Sequence, residues 1–478
     1  MLRLCCPRVL AVLVVLTALA GPAGASLLVL DARCVDVESR TVRPASVWIE
    51  DGRVRAVGGP DGSGLDLGGA RPDTLDLAGR HLMPSLIDLR VYGDVQRSPG
   101  HRDSLGIDGA RRLAASVGVA RVVDLFSTGE RTGGDAADWF GAGPLLVPRE
   151  APEAAFPGAR PVDSPAMARS VIEGLPARTT PLQVVYDGRY ARGLDAKTLQ
   201  ALIDAAAPRP VVVQVADWVD VRVALENGAR WFAQIPTGPM PDDVRATIER
   251  RGAELTWTPQ VALGLDFGTW ARVDSLRRDP GLARVLPDTM REDYARLRIP
   301  QTRLGEVDAR ARLLSETLPF LDAAGVRLLP GSGAGAVGTA VGFSLVRELE
   351  WWIALGIDPW RALGAATLAA GEVLGVRTGF APGAVGDFSV LAGSPLDDPT
   401  VLRAPERLIL GGAVVDPGAL AATVEHRVVE ELPDNPLPLG GRVPLIVIVV
   451  AGFAVLLLLR RAVKRAAARA LAEDEGTD

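Results

Sequence analysis

Histidine is scarce in this chain. Among 478 residues there are three, His81, His101 and His426, and lysine is rarer still, with Lys197 and Lys464 alone. A site built on four imidazoles is therefore excluded by count. None of the three histidines falls at an expected strand end, so each reads as a hydrogen-bonded or exposed side chain. Cysteine is nearly absent too. Cys5 and Cys6 precede an apolar run, where a lipidated cysteine would have to follow one, and Cys34 by itself can close no internal disulfide. Aromatic residues make up 5%, and the net charge of −6 comes with no clustered basic face, which excludes nucleic acid as a partner. The text contains no G-x-S-x-G, no H-E-x-x-H and no G-x-x-x-x-G-K-[ST]. No base–nucleophile pair can be picked out by spacing.

What is present starts with the two ends. Arg3 and Arg8 precede an unbroken apolar run at 9–20, and the small residues of 21–25 follow it. Ala23-Gly24-Ala25 fits an A-x-A cleavage pattern, so 1–25 reads as a signal peptide with Ser26 as the new N-terminus. A second run, VPLIVIVVAGFAVLLLL at 443–459, carries no charge. At a helical rise of about 1.5 Å per residue it spans roughly 25 Å, enough for a transmembrane helix with its flanks. Arg460, Arg461, Lys464, Arg465 and Arg469 follow it, while Glu430, Glu431 and Asp434 precede it. The positive-inside rule then makes 460–478 a cytoplasmic tail and puts the body on the periplasmic face of the cell membrane. Between body and anchor, 432–442 (LPDNPLPLGGR) reads as a Pro/Gly stalk.

Within the body, 26–83 alternates like β-structure, and Asp51-Gly52 between VWIE and RVRAV is a hairpin turn signal. Similar texture returns in GDFSVLAG and RLILGGAVVD, so 26–83 and 376–431 are expected to form a composite β-sandwich. From 84 to 375, strand-like and helix-like pieces alternate, the pattern of a parallel α/β sheet. Eight strands are expected, at 86–92, 119–126, 144–147, 182–186, 211–215, 230–235, 254–258 and 326–332. Eight is the count of a (β/α)8 TIM barrel, whose sites lie at the C-terminal ends of its strands. A long Arg-rich insertion, 259–321, precedes the eighth strand. It reads as a cover for the barrel mouth or as a plain helical elaboration.

HLMPSLIDLRVYG, then GVRLLPGSGAG, then FSLVRELEWWIALGIDPWRALGAATLAAGEVLGV, then GFAPGAVGDFSVLAGSPLDD follow one another in this order. The order resembles the amidohydrolase superfamily, near its imidazolonepropionase-like and prolidase-like members, over most of 27–416. The resemblance implies a divalent metal held by strand-end ligands, which lowers the pKa of a bound water. It also implies a His-x-His pair after the Ile-Asp of the first strand, and here Arg90-Val91-Tyr92 stands in that place. Arginine is never deprotonated in a protein and cannot bind a cation. The lysine implied on the fourth strand is replaced by the run beginning at Gln183. Gln214 and Gln234 stand for the histidines of the fifth and sixth strands, and Ser332-Gly333 for the G-T-D of the eighth.

No metal, no cofactor and no catalytic residue is therefore expected. Arg90, Tyr92, Gln214, Gln234 and Ser332 form a candidate pocket for a small anionic or amide-bearing ligand, or else fill a closed mouth. Asp88, Asp124, Asp187 and Asp217 are the acids expected nearby. Two functions remain open, because fold alone does not choose between them. One is a metal-free pseudoenzyme that binds a small molecule or a membrane-protein partner. The other is a divergent hydrolase acting on amide or cyclic-amide C–N bonds with rebuilt chemistry.

Overall fold

The computed structural model describes residues 26–431, apart from 99–100, 128, 151–158, 177–179, 189–193, 237, 271–277 and 297–300. The chain divides into Met1–Pro433 and Asp434–Asp478, and all described residues belong to the first unit. The expected signal peptide, stalk, membrane span and tail (1–25, 432–442, 443–459 and 460–478) lie outside the described residues. Among the described residues no helix is long and apolar enough to cross a membrane.

Leu86–Val91 and Val119–Asp124 are buried along their whole length, as strands covered on both faces must be. They pair in parallel, and Asp138–Gly141 continues the sheet beside the second. Leu146–Pro148, Leu182–Tyr186, Val211–Val215, Trp231–Ala233, Thr256–Thr258 and Arg327–Leu328 follow, each parallel to the next. A bridge from Val91 to Ala334 brings the end of the series back to its beginning, in the manner of an eight-fold parallel α/β barrel. Ile87, Leu89, Val123, Val212, Trp231 and Leu329, all from these strands or their ends, pack in one cluster with Ala370. The third strand departs from expectation. It is split, with Asp138–Gly141 against the second strand and Leu146–Pro148 against the fourth. Between the halves, Gly143 sits at φ +121° and Pro144 has no N–H to give to a ladder, so a continuous strand cannot run through.

In place of two separate β layers, strands from both ends of the body build one eight-stranded sheet. Its order is Ala413–Val415, Arg407–Leu410, Phe388–Leu391, His81–Pro84, Ser26–Asp36, Thr41–Glu50 and Arg53–Gly58, with Asp73–Asp76 also along Ser26–Asp36. The sheet curls back, since Arg53 bridges to Val385 just ahead of Phe388. Asp51 and Gly52 both have positive φ, as the two-residue hairpin turn requires. Asp387 ties this sheet to the barrel. Its carboxylate lies 2.5 Å from Arg121 of the second strand, both side chains being 9% exposed, and it also accepts from Gly411 N at 2.7 Å.

The insertion folds as helices, Val261–Trp270, Pro280–Val285, Asp288–Arg296 and Gln301–Ala323. The last is fixed over the exit of the sixth strand, where Arg310 donates to the carbonyls of Ile235 and Pro236, each at 2.6 Å. The helix Phe343–Ala354 holds the first. Glu348, fully buried, accepts from Val261 N at 2.9 Å and Ala262 N at 2.7 Å, supplying acceptors that the helix start lacks. One residue earlier, Arg347 forms a two-point pair with Asp266 at 3.0 and 2.5 Å. It also meets Glu350, which Arg403 grips at 2.5 and 2.6 Å while reaching Asp279 as well.

Candidate functional site

The first strand slips register against the second between Asp88 and Val91, and Arg90 lies at that bulge. Bulges re-aim side chains, often beside a site. Arg90 is 1% exposed, yet its guanidinium lines a cavity of about 330 Å³ at the C-terminal ends of the strands. Nη2 donates to Gln214 Oε1 at 3.1 Å and Nη1 to Gln260 Oε1, while Nε has no hydrogen-bond partner. Its Cζ lies 5.1 Å from the Tyr92 ring centroid, a cation–π distance. Tyr92 meets Phe126 edge-on at 6.5 Å. The acceptors contacting Arg90 are thus neutral amides, and no ion pair links it to a carboxylate among the described residues.

Gln214 Oε1 is the hub. The Tyr92 hydroxyl donates to it at 3.1 Å and Gln183 Nε2 at 2.7 Å, in addition to Arg90. Three donors converge on an oxygen with two lone pairs, so donors outnumber acceptors here. Gln183, at the place where the resemblance implies a lysine, also donates to the Tyr92 hydroxyl at 3.1 Å and leaves its own Oε1 without a partner.

The structure therefore brings Arg90, Tyr92 and Gln214 into direct contact. Gln234 lines the cavity but stands apart from them. Its backbone is at φ +55°, and its amide donates to Val215 O at 3.0 Å. Ser332 is not on the cavity wall. It is 2% exposed, its N–H donates to Asp88 Oδ1 at 3.0 Å, and its hydroxyl accepts from Ala334 N at 3.0 Å. That is a bracing position below the site.

The acids divide in the same way. Asp88 is fully buried, accepts from Arg90 N at 3.1 Å and leaves Oδ2 unpartnered. Burial pushes its carboxyl up to about 6, against the smaller pull of hydrogen bonds from Ser332 and Arg90 and of the Arg90 charge. Burial also raises Asp124, whose oxygens accept from Gly93 N and Phe126 N at 2.9 Å and from Trp139 Nε1 at 3.2 Å. Asp217 caps the helix Trp218–Glu226, and Asp187 is buried beyond the fourth strand.

Sequence reasoning missed three contributors. Gln260, two residues past the seventh strand at φ +53°, fills the space beside Gly333. A Cβ added to Gly333 would lie 1.5 Å from Gln260 Nε2. The Gly331-Ser332-Gly333 text was the available signal, because side chains missing from a barrel mouth must be replaced by something. Arg97 and Arg102 also line the cavity, from the hairpin Val95–Arg97/His101–Ser104. The strand Arg427–Glu431 pairs with the outer arm of that hairpin, and the adjacent His426 lies 3.6 Å from Asp103. His81 is on a strand of the curled sheet. Among the described residues, no three His, Cys, Asp or Glu side chains form a group that could hold a metal ion.

No family model and no curated protein matches the chain in sequence. Solved structures do match in fold. A prolidase complexed with N-methylphosphonate-L-proline is 18% identical, with a TM-score of 0.58 over 82% of this chain and 99% of that one. A Xaa-Pro dipeptidase with bound methionine in its active site is 15% identical, with a TM-score of 0.60 over 82% of this chain and 100% of that one. Ochratoxinase from A. niger is 15% identical, with a TM-score of 0.59 over 83% and 98%. The chain shares the fold of these three proteins.

Proposed function

We propose that this chain is a membrane-anchored, extracytoplasmic protein of amidohydrolase fold that works without a metal and uses its barrel mouth to bind a small anionic ligand or a protein partner. The observation that carries the reading is Arg90, a permanent charge buried against neutral amides with one N–H unused. Burying such a charge without a counter-ion is costly, and an anion in the adjoining cavity would offset that cost. A divalent cation does not fit these residues. A guanidinium stands in the His-x-His place and the Gln260 amide fills the space beside Gly333. Elemental analysis of the purified chain should find no stoichiometric transition metal. About one zinc, manganese or iron per chain would overturn the metal-free reading, since metal catalysis needs that site filled.

Carboxylates and N-acyl amino acids are expected to raise the melting temperature of the wild type. Arg90→Ala should weaken their binding by about ten- to a hundredfold, the worth of one charge-assisted hydrogen bond. If no such compound stabilises the wild type, while Arg90→Ala alone melts several degrees lower, Arg90 is a structural brace and ligand binding fails. Anchoring rests on the 443–459 run and the charges flanking it. Protease added to the outer face of intact inner-membrane preparations should digest the body and spare a small C-terminal fragment. A protected body would place it in the cytoplasm.

The second reading, a hydrolase of C–N bonds with rebuilt chemistry, fits the fold neighbours as well. The feature that favours it is Asp88, a buried carboxyl with a raised pKa and a free oxygen beneath the site. Release of amine from N-acyl amino acids, abolished by Asp88→Asn, would establish it over simple binding.

A further inference from the structure

Among the described residues that line the cavity, Arg90 is one of three arginines and Asp94 is the one acid. Arg97 and Arg102 are directly opposed in their antiparallel hairpin. Opposed residues share a face with Cβ atoms about 4.5–5.5 Å apart, so both guanidiniums come from the same side. The intervening alternate position, Gln96, is fully buried. Its amide donates to Val285 O at 2.7 Å and accepts from Val341 N at 3.2 Å, which pins the hairpin to the insertion and to the segment before Phe343–Ala354. The hairpin that carries the arginine pair is therefore held in place on the wall of the cavity that Arg90 also lines.

We propose that the cavity takes a dianion, a small molecule with two carboxylate-type groups on a short carbon chain. One group meets Arg90, the other meets Arg97 and Arg102, and Phe126, Leu145 and Leu263 cover the chain between them. The volume of about 330 Å³ is at the lower end for ligand cavities, which suits a metabolite-sized compound and excludes a long peptide. This proposal rests on the ligand-binding reading above and adds a requirement for the second charge.

The test uses the full-length chain in detergent micelles and isosteric probes, N-acetyl-L-glutamate and N-acetyl-L-aspartate against N-acetyl-L-glutamine and N-acetyl-L-asparagine. Calorimetric titration should show at least one acid bound about ten- to a hundredfold more tightly than its amide. The preference should vanish in Arg97→Gln/Arg102→Gln and return in Arg97→Lys/Arg102→Lys, which separates lost charge from lost folding. Equal affinity for acid and amide, or a preference that survives the glutamine substitutions, overturns the dianion. Binding of N-acetyl-L-alanine but of neither acid overturns it while leaving the ligand-binding reading standing. Binding of no carboxylate at all removes both.

Discussion

Replacing Arg347 with alanine is expected to lower the free energy of unfolding by about 3–5 kcal/mol, the usual cost of removing one partner from a buried ion pair. Arg347 is 9% exposed and joins Asp266 to Glu350. Glu350 would keep Arg403 as its partner. Asp266, 4% exposed, would keep among the described residues the Trp351 indole N–H at 2.8 Å as its one side-chain donor. The penalty should therefore fall on Asp266, and adding Asp266→Asn to Arg347→Ala should recover part of it by removing the stranded charge. The loss is read as a shift in the denaturant midpoint followed by tryptophan fluorescence. A shift worth less than about 1 kcal/mol would mean that water reaches the network and screens it as on a surface.

Gly333→Asp is expected to be the next most damaging change and to bring back no metal. It puts a carboxylate where the resemblance implies one, but the added Cβ would meet Gln260 Nε2 at 1.5 Å. The backbone there has φ +63°, which favours glycine, although aspartate tolerates it better than most. Strain and overpacking together should cost about 2–4 kcal/mol. Gln260→Ala combined with Gly333→Asp should recover the steric share and leave the backbone share. If Gly333→Asp alone melts like the wild type and binds zinc or manganese, Gln260 is no obstacle, and the proposed loss of the metal site is wrong.

Burial decided how much of the fold was legible. A strand such as Val211–Val215 reads as a nearly continuous apolar run because both faces are covered. The first half of the third strand, Asp138–Gly141, was missed. It has four residues, and the Gly-Ala-Gly-Pro text after it masks any period. The hairpin carrying Arg97 and Arg102 was invisible for a different reason. Its text, VQRSPGHRDS, lacks the alternating apolar residues of a strand, and its order comes from the distant partners of Gln96 and from Arg427–Glu431. At the site, the family resemblance located Arg90, Tyr92 and Gln214. It could not reveal that Ser332 turns inward, because the Ser332 N–H contact depends on Asp88, 244 positions away in the chain, lying beside it in three dimensions. Nor could it show that Gln260 fills the space beside Gly333, because that depends on the turn after the seventh strand.

The curled sheet has a consequence for synthesis. His81–Pro84 pairs on one side with Ser26–Asp36 and on the other with Phe388–Leu391. Ser85 and Ser389, whose hydroxyls stand 3.3 Å apart at this seam, are separated by 304 positions. At about 5–20 residues per second, a ribosome takes roughly 15 to 60 s to make that stretch. Throughout this interval the nascent chain carries an open strand edge whose partner does not yet exist, and such an edge invites pairing with other chains. The barrel's helices and parallel strands emerge in between, but Arg121 must wait for Asp387 before the barrel and sheet can close on each other. Folding to completion therefore waits until Phe388–Leu391 has been made. This chain should depend on a holding chaperone more than a protein of equal size whose neighbouring strands are also neighbours in sequence.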